Sequence, residues 1–267
     1  MRVIEIETVG QYVDYIASLN NKANLWFRGV SSEEQKPLPG LVWRNKQNLE
    51  SSLEHSFLVS YKAYFNGSGL TPWDIFSLMQ HHGLPTRLLD WSESALVALY
   101  FALSSEPDRV GDRAIWVLNP YQLNQKSFGI PSLYCPAVIN NRVIYTPIFG
   151  EFNLDSYLGP NLRPSGITVN LPEKPIAINA TQHLKRVSTQ KGCFTVHGYS
   201  SASIDSYFTE QDDFHMIRLK IKDNGHRLQM IMTLSSLGVD EEFIYQDLDA
   251  LCDKIKRKVG IYSQQTV

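Results

Sequence analysis

Gln80-His81-His82-Gly83-Leu84-Pro85-Thr86-Arg87-Leu88-Leu89-Asp90-Trp91 packs two histidines, an arginine and an aspartate between two strongly apolar segments. Upstream, Thr71-Pro72-Trp73-Asp74 carries an N-cap, a proline at the first helical position and an acid in the first turn, which predicts a helix to about His82 with Gly83 as its stop. Leu84 to Trp91 then reads as a short strand or extended turn. Asp90 or Ser92 is placed to cap the following helix, with Glu93 at capping-box spacing from Asp90. That helix, Ser94 to Leu103, is apolar all round and therefore central to the fold.

Outward from this centre, Val9, Tyr12, Val13, Ile16 and Leu19 predict an amphipathic helix over 8–19. Leu25 to Val30 reads as a buried strand and Ser31 to Lys36 as a polar loop. Leu49, Leu53, Phe57, Tyr61, Tyr64 and Phe65 predict a helix from Asn48, ended by Gly67 and Gly69. Ala114 to Leu118 is a buried strand. Residues 119–182 hold eight of the thirteen prolines and read as a loop-rich insert with short edge strands. Strand character returns from Arg186 to His197. From His215 to Lys222, Ile217, Leu219 and Ile221 face in while Met216, Arg218, Lys220 and Lys222 face out. A helix from Arg227 stops at Gly238, and Asp240 caps a last one with Phe243, Ile244, Leu248, Leu251 and Ile255 inward. Helices and strands mix without βαβ repetition, which predicts a single α+β domain with a central mixed or antiparallel sheet packed by helices.

Of 267 residues, 43% are hydrophobic and 19% charged, and the net charge is −2. That balance gives no global field to draw nucleic acid or anionic membrane, although a local basic groove remains open. Cys135, Cys193 and Cys252 are too few and too far apart for a disulfide framework, which points to a reducing cytoplasm. Neither a signal peptide nor a membrane span is expected. No P-loop, GxGxxG, HExxH or Gly-x-Ser-x-Gly elbow is present, and the histidine spacing suggests no metal.

Several residues could carry chemistry. Arg28 lies among Leu25-Trp26-Phe27-Arg28-Gly29 and must find acceptors, either a phosphate or carboxylate of a ligand or a structural partner such as Asp90. Gly29 lets something approach the backbone closely. His81, in the last turn of its helix, could donate to a phosphate or ribose or transfer protons, or it could cap its own helix. His82 follows the apolar period and suits packing. Arg87 has no evident local partner, and Asp90 is most simply a helix cap. The amide of Gln190 could bond a ribose or a base edge; Lys191-Gly192 beside it equally suits a β-bulge.

Leu25 to Gly29, Leu38-Pro39-Gly40-Leu41-Val42-Trp43-Arg44, Gln80 to Ser92 with Ala95 to Ala102, Arg186 with Gln190, Gly192 and Phe194, and Leu237 to Leu251 together resemble the FRG-domain family. That family is mainly bacterial, with many members that look like phage-defence or toxin components. Its layout in turn resembles an ADP-ribosyltransferase, which adds a split sheet as the expected form. Arg28 on a first strand, Thr86 ahead of a helix, and Gln190 on a later strand fit that class in order.

The resemblance implies NAD as substrate and a macromolecular acceptor, protein or nucleic acid (RNA or DNA), with a cognate antitoxin as a further partner. Arg28, His81 and Gln190 become the catalytic candidates, and Arg28, Gly29, Thr86, Arg87 and Asp90 the NAD-binding ones. Arg28 and Arg87 would hold the pyrophosphate; His81 and Thr86 would position the nicotinamide ribose. Gln190 departs from the glutamate usual at its position, because an amide hydrogen-bonds but cannot act as a base. Another acid, such as Glu210 or Asp212, would then supply that role, or the acceptor would need little activation. The alternative is a nucleotide- or nucleic-acid-binding module without chemistry.

Overall fold

A computed structural model describes residues 2–19, 24–65, 69–139, 142–166, 171–179 and 189–259. Gly67 and Arg186 lie outside the described residues. The fold is α+β. Seven strands form one mixed sheet in the order β1 (Arg2–Ile6), β9 (Phe214–Leu219), β4 (Arg113–Leu118), β2 (Trp26–Val30), β3 (Leu88–Ser92), β8 (Gly192–Val196), β7 (Ile176–Asn179). β1 and β9 are parallel, and the other neighbours are antiparallel. A separate hairpin is built from β5 (Val143–Thr146) and β6 (Gly150–Asn153).

The sheet divides between β2 and β3. Every residue of β2 pairs with β4, yet Phe27 opposite Ser92 is the sole register pair between β2 and β3. One face is continuous across this division, packed by Trp26, Leu89, Trp91, Trp116, Ala177 and Met216. The other face changes its cover there. Over β2, β4 and β9 lie α1 (Val9–Ser18), α5 (Ala95–Ser104), α7 (Asn224–Ser236) and α8 (Glu241–Tyr245). Over β3, β8 and β7 lie α4 (Pro72–His81) and the hairpin, through Phe76, Met79 and Phe152. Both faces are covered, so Met216, expected outward, is buried.

α5 fixes the geometry at the division. A side chain on Gly29 would place its Cβ 1.9 Å from the Ala98 carbonyl oxygen, so the missing side chain lets α5 lie directly on β2. Two buried arginines take carbonyls at its C-terminal end: Arg227 Nη1 donates to Leu103 O at 2.8 Å and Arg113 Nη1 to Ser105 O at 3.1 Å, where no intrahelical donor remains.

The elements depart from the sequence expectations in several places. The loop-rich region opens with a helix, α6 (Pro120–Phe128), capped by the Asn119 side chain and ended by Gly129 in the left-handed region. α3 (Glu50–Ser60) buries Glu54 fully and its apolar face only in part: Phe57 and Leu58 pack against the core, while Leu53, Phe57 and Tyr61 line an open groove, with Tyr64 largely exposed. α2 (Gly40–Trp43), a single turn in the Leu38–Arg44 segment, was not anticipated. The last helix is broken: Gln246 adopts φ +51°, separating α8 from α9 (Leu248–Lys258), whose Leu251 and Ile255 are exposed. Among the described residues no helix is long and apolar enough to cross a membrane.

Candidate functional site

α4 is set as its sequence requires. Thr71 and Asp74 form a reciprocal capping box, Pro72 opens the helix, and Gly83 at φ +79° releases the chain after His82. Gln80 and His81 therefore occupy the last turn, facing α5 across the division in the sheet. A cavity of about 340 Å³ lies there, at the small end of ligand clefts. Phe27, Val97, Ala98 and Phe101 supply apolar wall, and Arg28, Gln80, His81, Asp90, Ser92 and Gln190 supply polar groups.

Arg28 spans the division. Its Nη1 donates to the Asp90 carbonyl oxygen at 2.8 Å, and its Nε–H is buried with no partner among the described residues. Burial pulls its pKa below the usual arginine range, and the Asp90 carboxylate opposes that pull. A desolvated guanidinium with an open donor suits an anionic oxygen.

The Asp90 carboxylate is exposed and held from one side. Gln80 Nε2 donates to its Oδ2 at 2.6 Å, and Thr86 Oγ1 donates to Gln80 Oε1 at 2.7 Å. The Thr86 oxygen also accepts the Leu88 N–H at 3.0 Å. Asp90 is not a helix cap. Ser94 caps α5, accepting from Val97 N, and Ser92 Oγ accepts from Ser94 N at 2.9 Å.

Gln190 sits in the turn before β8, not within a strand, and no bulge forms; the strand starts at Gly192 after Lys191 at φ +46°. Its carbonyl accepts from Ser92 Oγ at 2.6 Å and its Nε2 donates to Ile244 O at 3.1 Å. His81 is half-buried, its ring edge-on to His82 with centroids 5.1 Å apart. His82 itself is exposed and borders the α3 groove rather than packing inward.

Arg28, Gly29, His81, Asp90 and Gln190, drawn from four separate parts of the chain, thus line one cavity, while Thr86 and Arg87 do not. Thr86 is buried beneath Gln80. Arg87 has the partner that local sequence hid: its Nε donates to Glu50 Oε1 at 2.7 Å, and its other nitrogens to His197 O and Tyr157 O. The close approach at Gly29 is that of α5 itself. Asp212 accepts from Thr209 and pairs with Lys126, and neither it nor Glu210 lines the cavity. Sequence reading missed Gln80, Ser92 and Phe101. Gln80 stands next to His81 in the last turn of α4, which is the signal that could have found it.

Residues 23–110 match the FRG domain family. The FRG segment runs from before β2 to past α5, so it contains Arg28, Gln80, His81 and Asp90 and leaves Gln190 outside. No curated protein and no solved structure matches the chain. The cavity beside the FRG segment's two central helices combines one buried cation, one carboxylate, an imidazole and amides against an apolar wall. Such a set can bind an anionic, hydroxyl-bearing ligand with a flat apolar group. Among the described residues no group of three or more His, Cys, Asp or Glu is disposed to hold a metal ion.

Proposed function

We propose that this protein is a NAD-dependent ADP-ribosyltransferase that modifies a macromolecular acceptor, protein or nucleic acid, as an effector of a bacterial toxin or phage-defence system. One observation carries the reading: Arg28 and Gln190, which the family resemblance assigns to separate strands of such an enzyme, converge with His81 on a cleft where the sheet divides. Ser92 supports it further. It ends β3 just ahead of α5 and lines the cleft, so it suits the hydroxyl-bearing position assigned to Thr86.

In this reading the Arg28 guanidinium meets a pyrophosphate oxygen, His81 and Ser92 orient the nicotinamide ribose, and Phe101 and Val97 shelter the nicotinamide ring. The cleft encloses the nicotinamide nucleoside end and leaves the remainder of NAD toward solvent. The setting in defence, and a cognate antitoxin, come from the family resemblance.

A second reading, a nucleotide- or nucleic-acid-binding module, is favoured by the Gln190 amide being already bonded to Ile244 O. Purified wild type and Arg28→Ala, incubated with NAD labelled in its adenylate and with total cellular protein and RNA, separate the two. Label on a macromolecule with wild type alone is the expected result and identifies the acceptor class. Nicotinamide release without macromolecular label indicates a NAD glycohydrolase. NAD binding by folded wild type without turnover moves the assignment to the binding module.

A further inference from the structure

Asp90 is the acidic residue among those lining the cleft, and its carboxylate forms no ion pair among the described residues. Its position is set by a chain of directed hydrogen bonds. The Asp90 carboxylate can only accept, so Gln80 presents Nε2 to its Oδ2; Gln80 Oε1 is thereby turned to Thr86, which donates to it while its own oxygen accepts the Leu88 N–H. Each link fixes the polarity of the next, since an amide offers its acceptor on one side and its donors on the other. The backbone of the same residue is fixed by Arg28. An exposed carboxylate would ordinarily move freely; this one is held beside the one guanidinium of the cleft.

We propose that Asp90 is the catalytic carboxylate at the nicotinamide ribose, and that Gln80 and Thr86 are its positioning residues. The proposal rests on the transferase reading above. In the step, the bond between ribose C1′ and the pyridinium nitrogen breaks, and nicotinamide leaves neutral with the bonding pair. Positive charge appears on C1′ and the ring oxygen, where a fixed anion stabilises it without reorganising. A lone pair of the acceptor then forms the new bond to C1′, and the acceptor's proton passes to the Asp90 carboxylate and on to solvent. The acid that Gln190 cannot supply is thus found on β3, the strand that pairs with β8 just after Gln190.

The test measures nicotinamide release from NAD, with kcat and KM separated, and melting temperature as a check on folding. Asp90→Asn is isosteric and keeps a hydrogen-bonding atom for Gln80. It should lower kcat by about 100-fold, the scale of one preorganised charge or acid–base group, and leave KM within about threefold. Thr86→Val should lower kcat by about tenfold, since loss of geometry costs less than loss of the charge. Thr86→Ser, which keeps the hydroxyl, should recover most of it. Adding Thr86→Val to Asp90→Asn should cause no further loss, because residues acting through one group are not additive. If Asp90→Asn turns over normally while Arg28→Ala is inactive, the cleft reading stands and this assignment is overturned. If the double variant loses the product of the two single effects, the positioning chain is overturned. If folded wild type releases no nicotinamide, the transferase reading fails and takes the assignment with it.

Discussion

The guanidinium of Arg28 donates to the main-chain carbonyl of Asp90 at 2.8 Å, across a gap where β2 and β3 have ceased to pair. A side chain thus does what a ladder hydrogen bond would do one residue earlier. It holds the two halves of the sheet together while leaving space above them. The guanidinium of the same arginine also lines the cleft, so its structural and binding roles are separable by substitution.

Arg28→Lys tests that separation. Lysine keeps the charge and can still reach a carbonyl, but it lacks the planar fork and the Nε donor. Stability should fall by about 1 kcal/mol, less than the full worth of a charged hydrogen bond because lysine keeps part of it. NAD affinity should fall at least tenfold. Urea unfolding and calorimetric titration with NAD measure the two; equal affinity in wild type and Arg28→Lys counts against an anion held by the Arg28 guanidinium.

Arg87→Ala should behave differently. Arg87 is buried, paired with Glu50, and bonded to the carbonyls of His197 and Tyr157. Removing it strands a carboxylate and two carbonyl acceptors, which costs about 3–5 kcal/mol. Urea unfolding should show that loss, while the fraction that remains folded binds NAD as wild type does. A variant of full stability with lost NAD binding would return Arg87 to the cleft.

Gly29→Ala should destabilise by about 3 kcal/mol or more, because the added Cβ falls 1.9 Å from Ala98 O and 2.6 Å from Ala102 N, both backbone atoms that cannot swing aside. α5 must lift from β2, and Val97, Ala98 and Phe101 move with it. Reduced thermal stability together with faster exchange of the α5 amides is the expected outcome.

Much of this was readable from local sequence. Thr71-Pro72-Trp73-Asp74 and Gly83 mark the ends of α4, and an apolar Ala95–Leu103 can only be a buried helix. Those signals work because capping and helical periodicity are short-range. α6 was hidden although Asn119-Pro120 and Gly129 are equally good signals, since the surrounding prolines read as loop. The relations that make the cleft are long-range. Glu50 lies 37 residues before Arg87, and Gln190 meets Ser92 across 98 positions. The division of the sheet depends on which strands pair and over what length, and no single strand's composition records that.

Glu54 gives stability a pH dependence of defined sign. Its side chain is buried in α3 against the backbone at Gly159, and Asn161 N donates to its Oε2 at 2.8 Å. Burial raises its pKa from 4.5 to about 7, with the Asn161 N–H, Arg87 and Arg163 opposing and Glu50 adding to the rise. Between those values the unfolded chain has lost the proton and the folded chain keeps it, so stability falls as pH rises through the window. His197 has the opposite slope: burial lowers its pKa from 6.5 to about 3, so folding loses stability as pH falls below about 6.5. The two overlap between the lower value for Glu54 and the upper one for His197, and wild type alone will look nearly flat there. The difference between wild type and Glu54→Gln isolates the carboxyl. Glu54→Gln should gain on wild type by on the order of 2 kcal/mol as pH is raised from about 4.5 to 7.5. Urea midpoints for both proteins across that range measure it, and a constant difference would mean that Glu54 titrates normally in the folded chain.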